Sequence, residues 1–240
     1  MKSILKCLAG VCLLAGLAQA DVVVFDYSSV PNGTSVAPAT GAATFDNFMV
    51  TSWIFGEVSV APDLAGQPIV GQGVFISNPT ANPISFGILF GLWAADGPDG
   101  GPGTMLNVGL SGTTPFPPSF NYESVDSGFP TPAGNFWVGY AFENYATPTT
   151  TAAELDSLQF DMGATPTVGT SVGTALLGSA ASYPLGNDPA IAGPASGALA
   201  QFLQVETPEP SSALFAAVGI LLLAGAGLCR KGDRSRRSRL

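Results

Sequence analysis

The chain has 240 residues and is poor in charge, with 8 basic residues, 17 acidic residues, no histidine and a formal net charge of −9. All eight basic residues lie near the two ends, so residues 21–229 contain no cation but 16 of the 17 acids. This excludes several functions for the body of the protein: phosphate-directed nucleic-acid binding, a Ser-His-Asp triad, a histidine metal site and a Schiff-base lysine.

Residues 1–20 have the pattern of a secretory signal peptide. Lys2 and Lys6 form a positive start, residues 8–17 form an apolar core, and Ala18 and Ala20 are the small residues that signal peptidase accepts. We therefore expect cleavage before Asp21. The apolar run is too short for an uncleaved anchor.

The three cysteines, Cys7, Cys12 and Cys229, all lie in the terminal apolar segments. Cys12 follows Val11, where a lipoprotein signal needs a small residue, so this alternative is disfavoured. Since no cysteine lies between Cys12 and Cys229, we expect no disulfide and no thiol chemistry in the body.

Residues 21–206 are predicted to form an all-β body, a β-sandwich of jelly-roll type. Glycine (30) and proline (20) punctuate the chain at short intervals and disfavour helix, while the apolar residues alternate. The pattern predicts strands over residues 22–27, 44–50, 52–60, 73–77, 85–93, 136–143, 157–162 and 199–205.

The predicted strands differ in how they are buried. Residues 85–93 are almost continuously apolar, which indicates a strand covered on both sides. In residues 157–162, Leu158, Phe160 and Met162 share one face, while Gln159 and Asp161 are expected to face outward. A helical turn is predicted near residues 151–155, and the Gly/Ala/Ser-rich run 163–200 is expected to contain long loops.

Residues 96–103 form an acidic, glycine-rich segment. Asp96 and Asp99 are weak candidates for Ca²⁺ ligands, because carboxylates on a flexible loop can be completed by backbone carbonyls. Their spacing does not match an EF-hand, and Asp-Gly is typical of turns, so a solvated hairpin turn is the favoured interpretation. No cofactor is predicted.

Paired carboxylates would still permit glycoside hydrolysis. The candidate glutamates are Glu57, Glu123, Glu143 and Glu154. Their spacing does not show that any two face each other, and surface positions are the favoured interpretation.

Aromatic residues offer a further possibility, since exposed rings stack on sugars. The candidates are Trp53, Trp93, Trp137, Tyr122, Tyr140 and Tyr145, for which a position in the core is the favoured interpretation. Asn32-Gly33-Thr34 matches the glycosylation sequon, but Asn-Gly is first a turn signal.

The carboxy-terminal segment is predicted to be a membrane tether. Residues 213–228 are 16 consecutive apolar or glycine residues, and a helix of that length reaches about 24 Å, enough for a short single span. The tail, residues 230–240, follows at once with the cluster Arg230, Lys231, Arg234, Arg236, Arg237 and Arg239. A basic tail stays in the cytoplasm and places the acidic body outside.

Together, Pro208-Glu209-Pro210, the two serines that follow, the apolar span and the basic end resemble the PEP-CTERM sorting signal. The resemblance covers residues 207–240 only. That signal occurs on exported proteins of Gram-negative bacteria that make extracellular polysaccharide. The resemblance implies recognition by a membrane-embedded exosortase, cleavage near Pro208–Pro210, and release or re-anchoring at the surface. Pro208 and Pro210 lack backbone donors and disfavour helix before them, so the chain there should be extended and accessible.

These features predict a non-enzymatic cell-surface or matrix protein associated with extracellular polysaccharide. Its expected partners are signal peptidase, the exosortase and, before processing, the inner membrane. A secreted carbohydrate-binding module, with or without Ca²⁺, and a carboxylate-dependent glycoside hydrolase remain the alternatives.

Overall fold

Most of the described residues of the body, residues 21–206, lie in β-strands, some with alternating and some with almost continuous apolar residues. The computed structural model describes residues 21–26, 31–38, 43–45, 48–110, 114–163, 174–181, 187–195 and 197–206. All of them belong to one compact unit, Asp21–Glu206. The predicted signal peptide, the sorting motif, the span 213–228 and the basic tail lie outside the described residues.

The described strands form two antiparallel sheets, so the predicted all-β class is confirmed. The seven-stranded sheet contains β1 (Asp21–Asp26), β2 (Pro31–Val36), β6 (Ile69–Asn78), β10 (Ser119–Val125), β12 (Gln159–Gly163), β15 (Ala198–Leu199) and β16 (Gln201–Glu206). The nine-stranded sheet contains β3 (Ala43–Phe45), β4 (Phe48–Val50), β5 (Ser52–Val60), β7 (Ile84–Ala94), β8 (Met105–Leu110), β9 (Thr114–Phe116), β11 (Gly134–Glu143), β13 (Leu176–Ala181) and β14 (Ile191–Pro194).

The order of strands places β1 and β8 at sheet edges. In the seven-stranded sheet the order is β1-β16-β6-β12-β15, with β10 also on β6 and β2 on β12. In the nine-stranded sheet it is β14-β13-β5-β11-β4-β3, and β7 pairs with β11 on one side and with β8 and β9 on the other.

The main core joins the two sheets. Phe142 of β11 stacks on Phe160 of β12 with 4.3 Å between ring centroids and 8° between planes, and the Tyr140 hydroxyl donates to the Gly73 carbonyl of β6 at 3.4 Å. Inward side chains of both sheets contribute to this cluster. As predicted, Phe160 and Met162 are buried in it together with Leu158.

A second hydrophobic cluster lies on the other face of the nine-stranded sheet. Its buried members are Val50, Trp53, Phe55, Leu89, Trp93, Trp137 and Ala141. Trp93 contacts Trp53 and Phe55 edge-on, with ring centroids 5.4 Å and 5.1 Å apart. Because β5, β7 and β11 carry apolar residues on both faces, they are buried almost throughout, as expected for residues 85–93.

Glycines in the strands make room for these rings. A Cβ at Gly139 would lie 2.6 Å from the Trp93 ring and 2.9 Å from Phe55. One at Gly91 would lie 2.7 Å from Trp93. The indole of Trp93 therefore lies over bare backbone on two neighbouring strands.

The single described α-helix, α1 (Ala152–Ser157), lies where a helical turn was predicted. Thr151 and Glu154 form a reciprocal capping box, in which the Glu154 amide donates to the Thr151 hydroxyl and the Thr151 amide donates to the Glu154 carboxylate at 2.7 Å. Leu155 anchors the helix in the main core. Among the residues that the structure describes, no helix has the length and apolarity that a membrane crossing requires.

Two expectations about local structure were wrong. The predicted strand 44–50 is instead the hairpin pair β3 and β4, in which Phe45 pairs with Phe48, because Asp46 and Asn47 between them are turn-forming residues. Asn32-Gly33-Thr34 lies within β2 instead of forming a separate turn, at the point where the register with β12 shifts between Ser35 and Pro31. The run 163–200, which was expected to contain long loops, holds strands β13, β14 and β15 among its described residues.

Candidate functional site

A pocket of about 790 Å³ opens at the outer face of the nine-stranded sheet. Three groups of residues line it: Glu57 and Trp137 from β5 and β11, residues 98–102 from the β7–β8 connection, and residues within 174–176 and 188–194 in and around β13 and β14. Pairing of β5 with β11 places Glu57 directly opposite Trp137. Strands β5 and β11 thus supply one wall, the β7–β8 connection a second, and β13 and β14 with the residues that precede β14 a third.

The β7–β8 connection is closed at its base by Asp96. Its two carboxylate oxygens accept from the Thr104 amide and the Thr104 hydroxyl, each at 2.7 Å. These two hydrogen bonds lower the pKa of Asp96 from its ordinary value, and the bond from the Thr104 amide has the larger effect. The connection therefore keeps its shape with Asp96 ionised.

The tip of this connection is a tight turn at Pro98–Gly100 that rests on the sheet. Asp99 adopts a left-handed conformation there, with φ of 55°, which Asp and Asn tolerate better than other side chains. The Trp137 indole N–H donates to the Gly100 carbonyl at 2.9 Å. One wall of the pocket is therefore fixed to the sheet by a hydrogen bond from a buried ring.

The third wall is attached to the same connection. The Asp188 amide donates to the Gly103 carbonyl at 2.9 Å, and the Met105 amide donates to Oδ1 of Asn187 at 2.9 Å. Asp188 is also left-handed, with φ of 52°. These contacts join segments more than eighty residues apart and hold the pocket open between them.

Glu57 is the most buried carboxylate of the pocket, with 8% of its surface exposed. Its Oε1 accepts from the Asn135 amide group at 3.0 Å. Asp99 and Asp188 add two exposed carboxylates to the lining. Because residues 21–229 contain no cation, the pocket is acidic without any compensating side chain of the body.

The hairpin predicted for residues 96–103 is present, since β7 and β8 pair on either side of it. Asp96 and Asp99, the weak Ca²⁺ candidates, take different positions. Asp96 closes the loop through both oxygens, and Asp99 lines the pocket. No group of three or more His, Cys, Asp or Glu side chains with metal-site geometry occurs among the described residues.

The four candidate glutamates do not form one site. Glu143 lies six residues along β11 from Trp137, about 20 Å at the usual rise of a strand, and so is far from Glu57. Glu154 caps α1, and the side chain of Glu123 lies outside the described parts. Glu57 and Glu143 were expected at the surface, and this was wrong, because they are only 8% and 1% exposed.

The tryptophans are core residues, as favoured. Trp53, Trp93 and Tyr140 are at most 2% exposed, and Trp137 is 6% exposed, although Trp137 also borders the pocket. Tyr145 is 65% exposed, and the side chain of Tyr122 lies outside the described parts. The Trp93 indole N–H is buried without a hydrogen-bond partner among the described residues.

Two buried carboxylates lie away from the pocket. Burial raises the pKa of Glu143 from its ordinary value, and a hydrogen bond from the Tyr145 amide opposes this only in part. Burial likewise raises the pKa of Asp161, against a hydrogen bond from the Ser77 hydroxyl at 2.9 Å. Asp161 was expected to face outward and to be exposed, but only 4% of its surface is exposed.

Sequence reasoning singled out Asp99, Glu57 and Trp137 separately but not as neighbours, and it missed Asp188. The Asn-Asp pair at 187–188, within a glycine- and proline-rich run, was the available signal, since such pairs favour turns. No protein-family model matches this sequence, and no curated protein shows significant similarity to it.

Proposed function

We propose that this chain is an exported, non-enzymatic surface protein whose pocket binds sugar residues of extracellular polysaccharide. The signal-peptide pattern of residues 1–20 supports export. The order of Pro208-Glu209-Pro210, an apolar span and a basic tail supports sorting and cleavage by an exosortase, with the inner membrane as the transient location. The mature body would then face the polysaccharide outside the cell.

The architecture in this proposal is a β-sandwich of jelly-roll type. It is supported by the stacking of Phe142 on Phe160 between the two sheets and by antiparallel pairing throughout. Such a scaffold presents loops at its ends and a broad outer face, and here the loops meet above Trp137.

The observation that carries the proposal is the composition of the pocket. Its volume of about 790 Å³ falls within the roughly 300–1,000 Å³ typical of sites for small ligands. Carboxylates accept hydrogen bonds from sugar hydroxyls, and an aromatic edge offers apolar contact with the faces of a pyranose ring. Glu57, Asp99 and Asp188 provide the acceptors, and Trp137, Leu176 and Ile191 provide the apolar surface.

The charge of the pocket decides which sugars it accepts. Uronates or sulfated sugars would meet three carboxylates with no cation of the body nearby, and this repulsion disfavours them. Neutral hexoses and amino sugars lack that penalty, and a protonated amine would add a charge-assisted hydrogen bond. The ligand is therefore a neutral or amino-sugar polysaccharide.

The matching experiment compares single-charge variants of the full chain by calorimetry, with neutral, amino-sugar and uronate polysaccharides as probes. Asp188→Asn and Asp99→Asn keep the left-handed backbone and each remove one pocket carboxylate, and we expect about ten- to a hundred-fold weaker binding from the loss of a charged acceptor. Asp63→Asn and Asp126→Asn remove one exposed charge elsewhere and should bind like the wild type. Equal affinity in all four variants, or tighter binding of the uronate than of the neutral probe, would refute the proposal.

Glycoside hydrolysis is the second candidate, favoured by the three carboxylates that line one pocket. It requires two of them to flank a bond, one as acid and one as base or nucleophile. Release of new reducing ends by the wild type, abolished in Glu57→Gln, would establish it. Under the binding proposal neither protein releases them.

A further inference from the structure

Strand β8 presents an apolar ridge at the edge of the nine-stranded sheet. Along Met105–Leu110 the side chains alternate between partly buried and exposed, and Leu106, Val108 and Leu110 are 46%, 36% and 44% exposed. Among the described strands, β8 pairs with β7 alone. The Met105 amide at the start of β8 donates to Oδ1 of Asn187. Beyond it, from Leu106 to Leu110, the other edge offers backbone groups and three large apolar side chains together.

This edge also lacks the charges that normally protect an exposed strand. No ionisable residue occurs in β7, β8 or β9. The edge strand of the other sheet, β1, is bordered by acids at both ends, Asp21 and Asp26. Because charged residues on an edge strand oppose pairing with a further strand, β1 is protected and β8 is not.

We propose that β8 pairs edge to edge with β8 of a second copy of this chain, antiparallel and centred on Val108. The sequence Leu106-Asn-Val-Gly-Leu110 suits this register, because it places Leu106 opposite Leu110 of the second copy and Val108 opposite itself. Asn107 then faces Gly109, a residue without a side chain that leaves room for the carboxamide. The same patch serves both copies, as a two-fold interface requires.

Charge favours a second copy at this edge over other occupants. Bodies that carry 16 acids and no cation between residues 21 and 229 repel one another, and an uncharged edge is where two of them approach with the least repulsion. A cationic partner would find no carboxylate on β7, β8 or β9. The contact is therefore apolar and backbone-mediated.

The backbone of β8 is ready for such pairing. The Val108 amide donates to Oδ1 of Asn107 at 3.0 Å, at an exposed position. A short side chain that holds an edge amide in this way is displaced when a strand carbonyl takes its place, with no net loss of hydrogen bonds.

The association is weak and depends on salt. One strand from each copy buries less than the roughly 1,200 Å² of a stable interface. Copies confined to one surface have a raised effective concentration, and this increases the fraction of copies that are paired through a weak contact. Added salt screens the repulsion between the bodies and strengthens the pairing.

Engineered cysteines in the full chain test the register. The parent carries Cys7, Cys12 and Cys229 replaced by Ser, so that each variant holds a single cysteine in a body that has none of its own. In an antiparallel pair, opposite Cα atoms lie about 4.5–5.5 Å apart, within reach of a disulfide. Under a mild oxidant, Val108→Cys should form a disulfide-linked dimer about tenfold faster than Val23→Cys, and faster still with added salt. Val23 is the matched control, since it is 40% exposed and lies on the protected edge β1.

Differently tagged Leu106→Cys and Leu110→Cys should cross-link when mixed, whereas each alone should not. Equal rates for Val108→Cys and Val23→Cys would overturn the pairing, and rapid dimer formation by Leu106→Cys alone would overturn its antiparallel register. Val108→Glu provides the complementary measurement, because a charge at the centre of the contact should abolish concentration-dependent association while leaving polysaccharide binding unchanged.

Discussion

The central strands of the nine-stranded sheet, β5, β7 and β11, are buried on both faces, but the two faces are packed in different ways. The inner face meets a second sheet, and phenylalanines from both layers interdigitate, as in the stacking of Phe142 on Phe160. The outer face packs large rings against its own backbone, where Trp93 lies over Gly91 and Gly139.

The two faces of the sheet therefore have different structural roles. A core between two sheets is shared by many residues and defines the fold. On the outer face, the Trp137 indole N–H donates to the Gly100 carbonyl of the β7–β8 connection, and the pocket lies beside this ring. The outer face therefore connects the fold to the candidate site.

The inner core should be the most sensitive to loss of volume. Phe160→Ala removes a fully buried ring that contacts Phe142 and Tyr140, and we expect a loss of about 3–5 kcal/mol in the free energy of unfolding from the lost burial and the remaining cavity. Chemical denaturation measures it. Tyr145→Ala, which removes a 65% exposed ring, is the control, and equal costs for the two variants would contradict the assigned core.

The outer face should instead be sensitive to added volume. Gly139→Ala places a methyl group 2.6 Å from Trp93 and 2.9 Å from Phe55, rings that are fully buried and cannot move aside. Overpacking of this kind costs about 1–3 kcal/mol. Gly178→Ala, whose new Cβ would lie 3.2 Å from the Trp53 carbonyl oxygen, should cost less. If Gly139→Ala stabilises the protein, the rings do not lie over the strands as described.

The buried Glu143, whose β-partner Val50 belongs to the outer cluster, gives the smallest effect and a distinctive pH dependence. Burial raises its pKa in the folded state above the ordinary 4.5. The folded state therefore holds the proton more tightly, and stability falls as the pH rises from 4.5 through the folded-state pKa. Glu143→Gln should match the wild type below this window and be more stable above it, in thermal melts across pH.

Glu154 is the matched control with the opposite sign. Hydrogen bonds from the Thr151 amide and hydroxyl lower its pKa, so its contribution to stability is present above 4.5 and is lost as the pH falls through the folded-state pKa. Glu154→Gln should therefore be less stable than the wild type near neutral pH and equal to it in acid. The same sign for both variants would contradict the difference in their surroundings.

The sequence predicted the features that local patterns encode. Residues 52–60 match β5 in full, and the almost continuously apolar run 85–93 correctly predicted a strand covered on both faces. The helical turn predicted near residues 151–155 is α1, and the structure shows that Thr151 and Glu154 cap its start. The turn preference of Asn32-Gly33 did not interrupt β2, but the register with β12 shifts at these residues.

The candidate site depends on contacts that no local pattern contains. Glu57 and Trp137 become neighbours through β5–β11 pairing, and Asp188 joins them only because its amide donates to Gly103. The burial of Glu143 could not be predicted for a related reason. Glu143 is the last residue of β11, a position that is usually exposed, and it pairs with Val50 of β4, which in turn pairs with β3.

We propose that the carboxy-terminal segment is a tether that is removed on the way to the cell surface. Mass spectrometry can determine the two ends of the protein recovered from the surface or the surrounding matrix. We expect a chain that starts at Asp21, ends near Pro208–Pro210 and lacks the tail 230–240. A surface protein that retains its arginine-rich tail, in cells that possess an exosortase, would contradict it.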